Sequence, residues 1–360
     1  MELFKAHEQW KTRPADERFP TLEALHDATR RYVETAGEVT APWSAIRTEA
    51  DAGEVLLMGK ANVPARLTNW AFGQVAARVG APADYLRTLP ATLACQNLNH
   101  GLAHKQESGG ARTGDAQLLF HANGDLLCRA VTSDKYARIW NYEVAERLLS
   151  LQELGWEPAT PDRNADPDTL TALYASDHDL FAFLRNPNLT IDERGSAGAV
   201  YRGVIVENSE VGAAALKFTR FLYREMCGNH IIWGASRVMD LSLRHVGAIR
   251  ERMQQWSVEL RRYAEGSASE EEAKIASART AQIAGTKEEV LDRLFGLRSL
   301  GLSRKTLEAS YAAVDVDQDG DPRTQWGMVQ GITRHSQTLP YADKRTELDR
   351  AAGRLLTIEF

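Results

Sequence analysis

Most of the short signatures that announce an enzyme are missing from this chain. It has no Walker loop, no G-x-G-x-x-G, no G-x-S-x-G and no C-x-x-C. That disfavours recognisable nucleotide hydrolysis, dinucleotide binding and serine-hydrolase chemistry. Cysteine is scarce: Cys95, Cys128 and Cys227 lack metal-ligand spacing, and an odd number cannot pair completely. A reducing cytoplasm fits that usage. No apolar run approaches the ~20 residues of a membrane-spanning helix, and the first residues, MELFKAHEQWKTRPADERF, lack a secretory hydrophobic core. No membrane partner is expected. Net positive charge is also absent. The formal charge of -6 argues against a protein coated in basic side chains for nucleic acid.

The charge is uneven, however. Residues 199–265 hold ten Lys/Arg against seven acids, so this stretch is locally +3 and the rest of the chain -9. It contains the densest polar motif of the sequence, VENSEVGAAALKFTRFLYREMCGNHIIW (206–233). Asn208, Ser209, Glu210, Cys227, Asn229 and His230 sit among residues that otherwise read as core. Groups like these belong in a core only where they meet a ligand, nucleic acid or one another.

The patterning predicts an α+β protein, an antiparallel sheet backed by a long helix, with a helical N-terminal region and a helical C-terminal tail. Leu22, Leu25 and Ala28 mark an amphipathic helix, and short strands are expected around Trp43–Ile46 and Glu54–Met58. Thr68 caps a helix ended by Gly80, and Pro82 and Pro90 open two more. Asn123-Gly124 between alternating strands (Leu118, Phe120; Leu126, Cys128, Ala130) is a strong hairpin signal. A helix follows from Asn141 to Leu154, and strands resume at 170–175, 180–184 and 200–206. A turn is expected at Val206–Ala214, presenting Asn208 and Glu210. Ile249, Met253, Trp256, Leu260 and Tyr263, spaced 4, 3, 4, 3, form one apolar stripe on a helix beginning near Asp240. Three regions are expected: 1–110, helical with short strands; 111–265, the α+β core; and 266–360, helical.

Several clusters have both a functional and a plain structural reading. Asn208-Ser209-Glu210 is either a site on a loop or a turn held by local hydrogen bonds. Cys227 with His230 has the residue types of a nucleophile and its base, but adjacency in sequence does not supply the geometry; an inert buried thiol is expected. His100 and His104 lie four apart on a helix, without a third ligand. Asp315, Asp317, Asp319 and Gly320 resemble the start of a calcium loop, but Trp326 stands where the bidentate glutamate belongs. No metal or cofactor is expected. Arg129, Lys135, Tyr136 and Arg138, together with Arg220, Tyr223 and Arg224, are the cation and aromatic types that hold single-stranded nucleic acid.

Six segments in order resemble one prokaryotic family, the phage/plasmid-like proteins catalogued as a domain of unknown function. They are LTNWAFGQVAARVGAPADYLRTLP (67–90), LCRAVTSDKYARIWNYEV (127–144), LYASDHDLFAFL (173–184), YRGVIVENSEVGAAALKFTRFLYREMCGNHIIWGA (201–235), RHVG (244–247) and TQWGMVQGITRHSQ (324–337). The resemblance implies association with mobile elements. It also implies a polar set falling here on Ser133, Asp134, Tyr136, Ser176, Asp179, Asn208, Ser209, Glu210, Cys227, Asn229, His230, Arg244 and His245. A more remote likeness is to single-strand annealing proteins, in which a small curved sheet is backed by a long helix. The leading expectation is a mobile-element protein of DNA metabolism that binds single-stranded DNA, as an annealing homo-oligomer. The alternatives are an enzyme using Asn208, Glu210, Cys227 and His230, and an interaction protein that modulates host defence.

Overall fold

The computed structural model describes residues 14–58, 63–107, 114–123, 125–159, 172–191, 200–224, 229–231, 242–339 and 342–360. Cys227 lies outside them, as does Gly124; of Tyr223, Arg224, Asn229 and His230 only the backbone is described.

A two-residue strand β1 (Arg18–Phe19) leads into α1 (Leu22–Glu34), where Thr21 Oγ1 accepts the Ala24 amide at 3.1 Å as an N-cap. Strands β2 (Ala36–Pro42), β3 (Arg47–Asp51), β4 (Glu54–Met58) and β5 (Pro64–Leu67) follow. Trp43–Ala45 forms a 3-10 turn, not the strand expected there. Then come α2 (Asn69–Val79), α3 (Ala83–Thr88) and α4 (Ala91–Glu107). Thr68 caps α2, and Gly80 ends it at φ 79°, in the left-handed region. The expected hairpin is β6 (Asp115–Asn123) and β7 (Asp125–Ser133), closed at Asn123↔Asp125. These six strands form one sheet in the order β2-β6-β7-β5-β4-β3, antiparallel except where β5 runs parallel to β7. The sheet thus crosses the boundary expected at residue 110. Its core is closed by α2, α3 and α4 through Phe72, Val75, Leu86 and Leu98.

After α5 (Asn141–Leu149) come β8 (Glu157–Pro158), β9 (Leu173–Ala175), β10 (Leu180–Ile191), β11 (Val200–Asn208), β12 (Leu216–Arg224), β13 (Asn229–Ile231) and β14 (Ser242–Leu243). They build a second, antiparallel sheet in the order β1-β9-β10-β11-β12-β13. The long helix α6 (Ile249–Glu265) packs on one face of it. It starts later than expected, because β14 and Gly247 (φ 72°) occupy the preceding stretch. The periodic stripe is buried as predicted: Met253, Trp256, Leu260 and Tyr263 meet Leu180, Ala182, Val204, Val206 and Phe218, with α1 and α5 in the same core. Each such side chain contributes about 1.5–3 kcal/mol through burial.

The C-terminal unit is helical: α7 (Ser269–Thr280), α8 (Lys287–Gly296), α9 (Arg304–Ala312), α10 (Val316–Asp319), α11 (Gln325–Thr338) and α12 (Ala342–Leu355). The segment TQWGMVQG serves packing here. Thr324 caps α11, and Trp326 is buried in this unit's core. A Cβ on Gly331 would lie 2.3 Å from Ser310 O, so only glycine lets α9 and α11 approach this closely. Of the calcium-like aspartates, Asp317 and Asp319 lie in α10, where Asp319 is buried and ion-paired with Arg334 at 2.9 Å.

Candidate functional site: the joint between the two sheets

The turn between β11 and β12 is a plug in the first sheet. Gly212 takes φ 89°, which makes the reversal possible. Val211 is fully buried beside Leu119 and Ala130 of the hairpin. Its carbonyl accepts both Trp70 Nε1 (3.0 Å) and Gln74 Nε2 (2.7 Å) from α2. Gln74 also accepts the Val131 amide at 2.8 Å. Ser209 Oγ donates to His178 O at 2.6 Å and accepts the Ala213 amide at 2.9 Å.

Asn208 and Glu210 face inward; the expected turn forms but does not present them to solvent. Glu210 is 1% exposed and ion-pairs with Arg129 Nη1 at 3.0 Å. Its other oxygen accepts the Asn141 amide at 2.8 Å, placing a carboxylate at the N-terminus of α5, where the helix dipole favours it. Asn208 Nδ2 donates to Ile139 O (3.0 Å) and Asn141 Oδ1 (2.8 Å). Arg129 reaches this position because it is the extra residue of a β-bulge: Leu119 pairs with Ala130 and Phe120 with Cys128, leaving Arg129 between them. Its guanidinium also donates to Asp177 O at 2.8 Å and lies 5.1 Å over the Tyr32 ring. Arg138 donates to Glu210 O and pairs with Glu38, and its side chain is 3% exposed.

Tyr136 and His245 close one side of the plug. Their rings stack at 5.1 Å and 10°, and the Tyr136 hydroxyl bonds Ser209 O and His245 Nδ1, each at 2.9 Å. Burial pushes the Tyr136 phenol well above its usual range. Burial, with Arg138 nearby, pulls His245 down to about 4, so the imidazole is neutral at physiological pH. A Tyr136↔Val246 bridge and an Ala137 amide bond to His245 O (2.8 Å) tie the 133–138 and 244–252 segments together. On the other side of the plug, Ser176, Asp177, His178 and Asp179 form the β9–β10 hairpin turn. Ser176 Oγ donates to Asp179 Oδ1 at 2.8 Å. Trp70 stacks on His178 at 6.3 Å and 23°. Trp70, His178, Asn69, Asp84, Arg87 and Asp177 line an open cleft of about 450 Å3.

The structure therefore gathers Tyr136, Ser176, Asp179, Asn208, Ser209, Glu210 and His245 about one joint. Ser133 and Asp134 begin the neighbouring turn, and Arg244 is exposed beside His245. The five expected nucleic-acid residues whose side chains are described do not share one groove. Arg129 and Arg138 are buried and ion-paired with acids. Arg220 is half-buried, 5.5 Å over Tyr263. Arg224 and Tyr223 lie toward the far end of β12, about 23 Å along the strand from Lys217 for Arg224. The cause is tertiary: Glu210 and Glu38 claim the two arginines nearest the turn. Sequence reasoning missed Trp70, Gln74, Asn141, His178 and Glu38. Trp70 and Gln74 lie within the 67–90 segment of the family resemblance, but their helix reads as core.

Among the described residues, no group of three or more His, Cys, Asp or Glu could hold a metal ion, and no helix is long and apolar enough to cross a membrane. No family model, curated protein or solved structure matches the chain.

Proposed function

We propose that this is a mobile-element protein of DNA metabolism that binds single-stranded DNA without consuming nucleotide and anneals complementary strands. The observation that carries the reading is a set of three exposed cations on the two segments beside the joint. Lys135, Arg244 and Arg250 are exposed and have no carboxylate partner among the described residues. They lie on two segments linked by the Tyr136↔Val246 bridge. Arg252 fastens the second segment, its Nη1 donating to Arg244 O and Val246 O at 3.4 and 3.3 Å. Elsewhere many surface arginines are spent on acids, as in Arg47–Glu49, Arg66–Glu54, Arg261–Glu265 and Arg304–Glu288. In a chain of formal charge -6, exposed cations without an ion pair among the described residues, on two segments that meet at Tyr136, are suited to phosphates. The family resemblance and the antiparallel sheet backed by α6 point the same way. The enzyme reading is weaker, because Glu210 commits both carboxylate oxygens inside the joint, to Arg129 and to the Asn141 amide.

The test is a fluorescence titration of labelled oligothymidylate at several salt concentrations, with wild type and a Lys135→Ala, Arg244→Ala, Arg250→Ala variant. Each phosphate contact on a single strand contributes ~0.7 to the salt slope, so the variant should lose about 2. Circular dichroism checks the fold. An absence of binding at low salt, or an unchanged slope, removes the reading and leaves an interaction protein.

A further inference from the structure

The cleft lined by Trp70 and the 176–179 turn shares no lining residue with Lys135, Arg244 and Arg250. Both of its walls are anchored on the buried joint. Trp70 Nε1 is bonded to Val211 O; the hairpin turn is held by Ser209 Oγ on His178 O and Arg129 Nη2 on Asp177 O. Such a cleft is largely formed before any ligand arrives, and its volume of about 450 Å3 lies in the ~300–1,000 Å3 range of small-ligand sites. Trp70 remains 36% exposed although its indole is tied at the nitrogen and stacked on His178.

The charges identify the kind of ligand. Arg87 Nη1 pairs with Asp84 at 2.9 Å, and His178 Nδ1 lies 3.2 Å from Asp177 Oδ1. Arg87 is already paired with Asp84, and the second carboxylate of the lining, Asp177, repels an anion, so a neutral ligand suits the cleft better than a phosphate. The exposed indole offers a π-face to a planar ring. The Asp177 carboxylate, 46% exposed, has more acceptor positions than His178 uses. Arg87 keeps N–H donors beyond those given to Asp84 and Asn69 O. A planar neutral group with two adjacent donors and an acceptor meets all three requirements.

We propose that this cleft binds a guanine base, stacked on Trp70, with its N1–H and exocyclic amino group donating to Asp177 and its O6 accepting from Arg87. The inference rests on the nucleic-acid reading only for the source of the base, a strand or a free nucleoside.

The experiment titrates the full chain with guanosine, inosine and thymidine, following tryptophan fluorescence. Guanosine should quench saturably. Inosine, which lacks the exocyclic amine and so loses a hydrogen bond to a charged group, should bind about tenfold or more weakly. Thymidine should bind more weakly still. Trp70→Phe should abolish the quench. Because that variant also loses the bond to Val211 O, Asp177→Asn provides the second control: it should keep the quench but bind guanosine and inosine alike. Equal affinity for the three nucleosides, or discrimination that survives Asp177→Asn, would overturn the assignment. So would a quench that persists without Trp70, or none at all. A single guanine within an oligothymidylate strand, compared with free guanosine, identifies the source; tighter binding of either upholds the guanine site. Guanosine binding without strand binding at low salt would remove the nucleic-acid reading and leave this site standing. Strand binding without nucleoside discrimination would do the reverse.

Discussion

Two buried arginines, each paired with a carboxylate, sit at two junctions of this chain. At the joint between the sheets, Arg129 pairs with Glu210, both 1% exposed, over the ring of Tyr32. Where the second sheet meets the C-terminal helices, Arg202 pairs with Glu271 at 3.2 Å, over Tyr263 at 4.1 Å, and donates to Gly266 O and Ser267 O. The chemistry is the same: a desolvated guanidinium, one carboxylate, an aromatic face and carbonyl oxygens. The setting differs. Glu210 also bonds the Asn141 amide, so it joins an ion pair to the start of a helix distant in sequence, whereas Glu271 lies in the first turn of its own helix α7. A buried ion pair is weak evidence of net stabilisation, but removing one partner strands the other charge in a low dielectric.

That comparison is open to attack in order of expected effect. Glu210→Ala leaves Arg129 uncompensated and should cost about 3–5 kcal/mol in a urea titration. Glu271→Ala should fall at the lower end of that range: Glu271 lies in the first turn of α7 beside two further glutamates, Glu270 and Glu272, which keep that helix start negative. Equal losses would mean the added bond to Asn141 contributes nothing. A control that leaves both ion pairs intact is Trp256→Ala, on the fully buried stripe of α6. It should cost about 3–5 kcal/mol through the cavity it opens, and a loss below ~1 kcal/mol would show that face is not core.

The first junction also carries a pH dependence. His245 titrates near 4 in the folded chain against 6.5 for the free side chain. Because the unfolded state takes up the proton first, stability should be level above about pH 6.5 and fall as pH drops toward 4. The drop should be on the order of 3 kcal/mol. His245→Asn should flatten the stability profile in that window; an unchanged profile would assign the acid sensitivity to other groups. Smaller again is Ser209→Ala, which frees His178 O and the Ala213 amide and should cost about 1–2 kcal/mol. The smallest effect belongs to the surface: Lys135→Ala and Arg244→Ala should each change stability by less than about 0.5 kcal/mol, so any effect on strand binding reads directly on contact.

Much of the architecture was legible because it is local. The Asn123-Gly124 hairpin, the caps at Thr68 and Gly80, and the 4-3-4-3 stripe on α6 all follow from turn chemistry and periodicity over a few residues. The candidate site was legible as a place, since Asn208, Ser209 and Glu210 stand out as polar groups between two core strands. Its orientation was not. Facing inward depends on Arg129, which arrives from a different sheet and reaches Glu210 through a bulge that alternation alone does not reveal. Trp70, Gln74 and Asn141 escaped notice because each sits in a helix whose pattern is explained by packing.

Composition and periodicity by themselves determined an α+β chain, a turn within 206–214, a buried stripe on the long helix and the absence of familiar nucleotide and hydrolase motifs. Tertiary structure alone decided which cations are spent. Arg129 and Arg138 lie within reach of Glu210 and Glu38 and are desolvated there, whereas Lys135, Arg244 and Arg250 have no acid within ion-pair reach among the described residues. The reason is that a charge is matched by its neighbours in space: pairing of groups 81 and 100 residues apart in the chain depends on how the two sheets meet, and no local pattern records that.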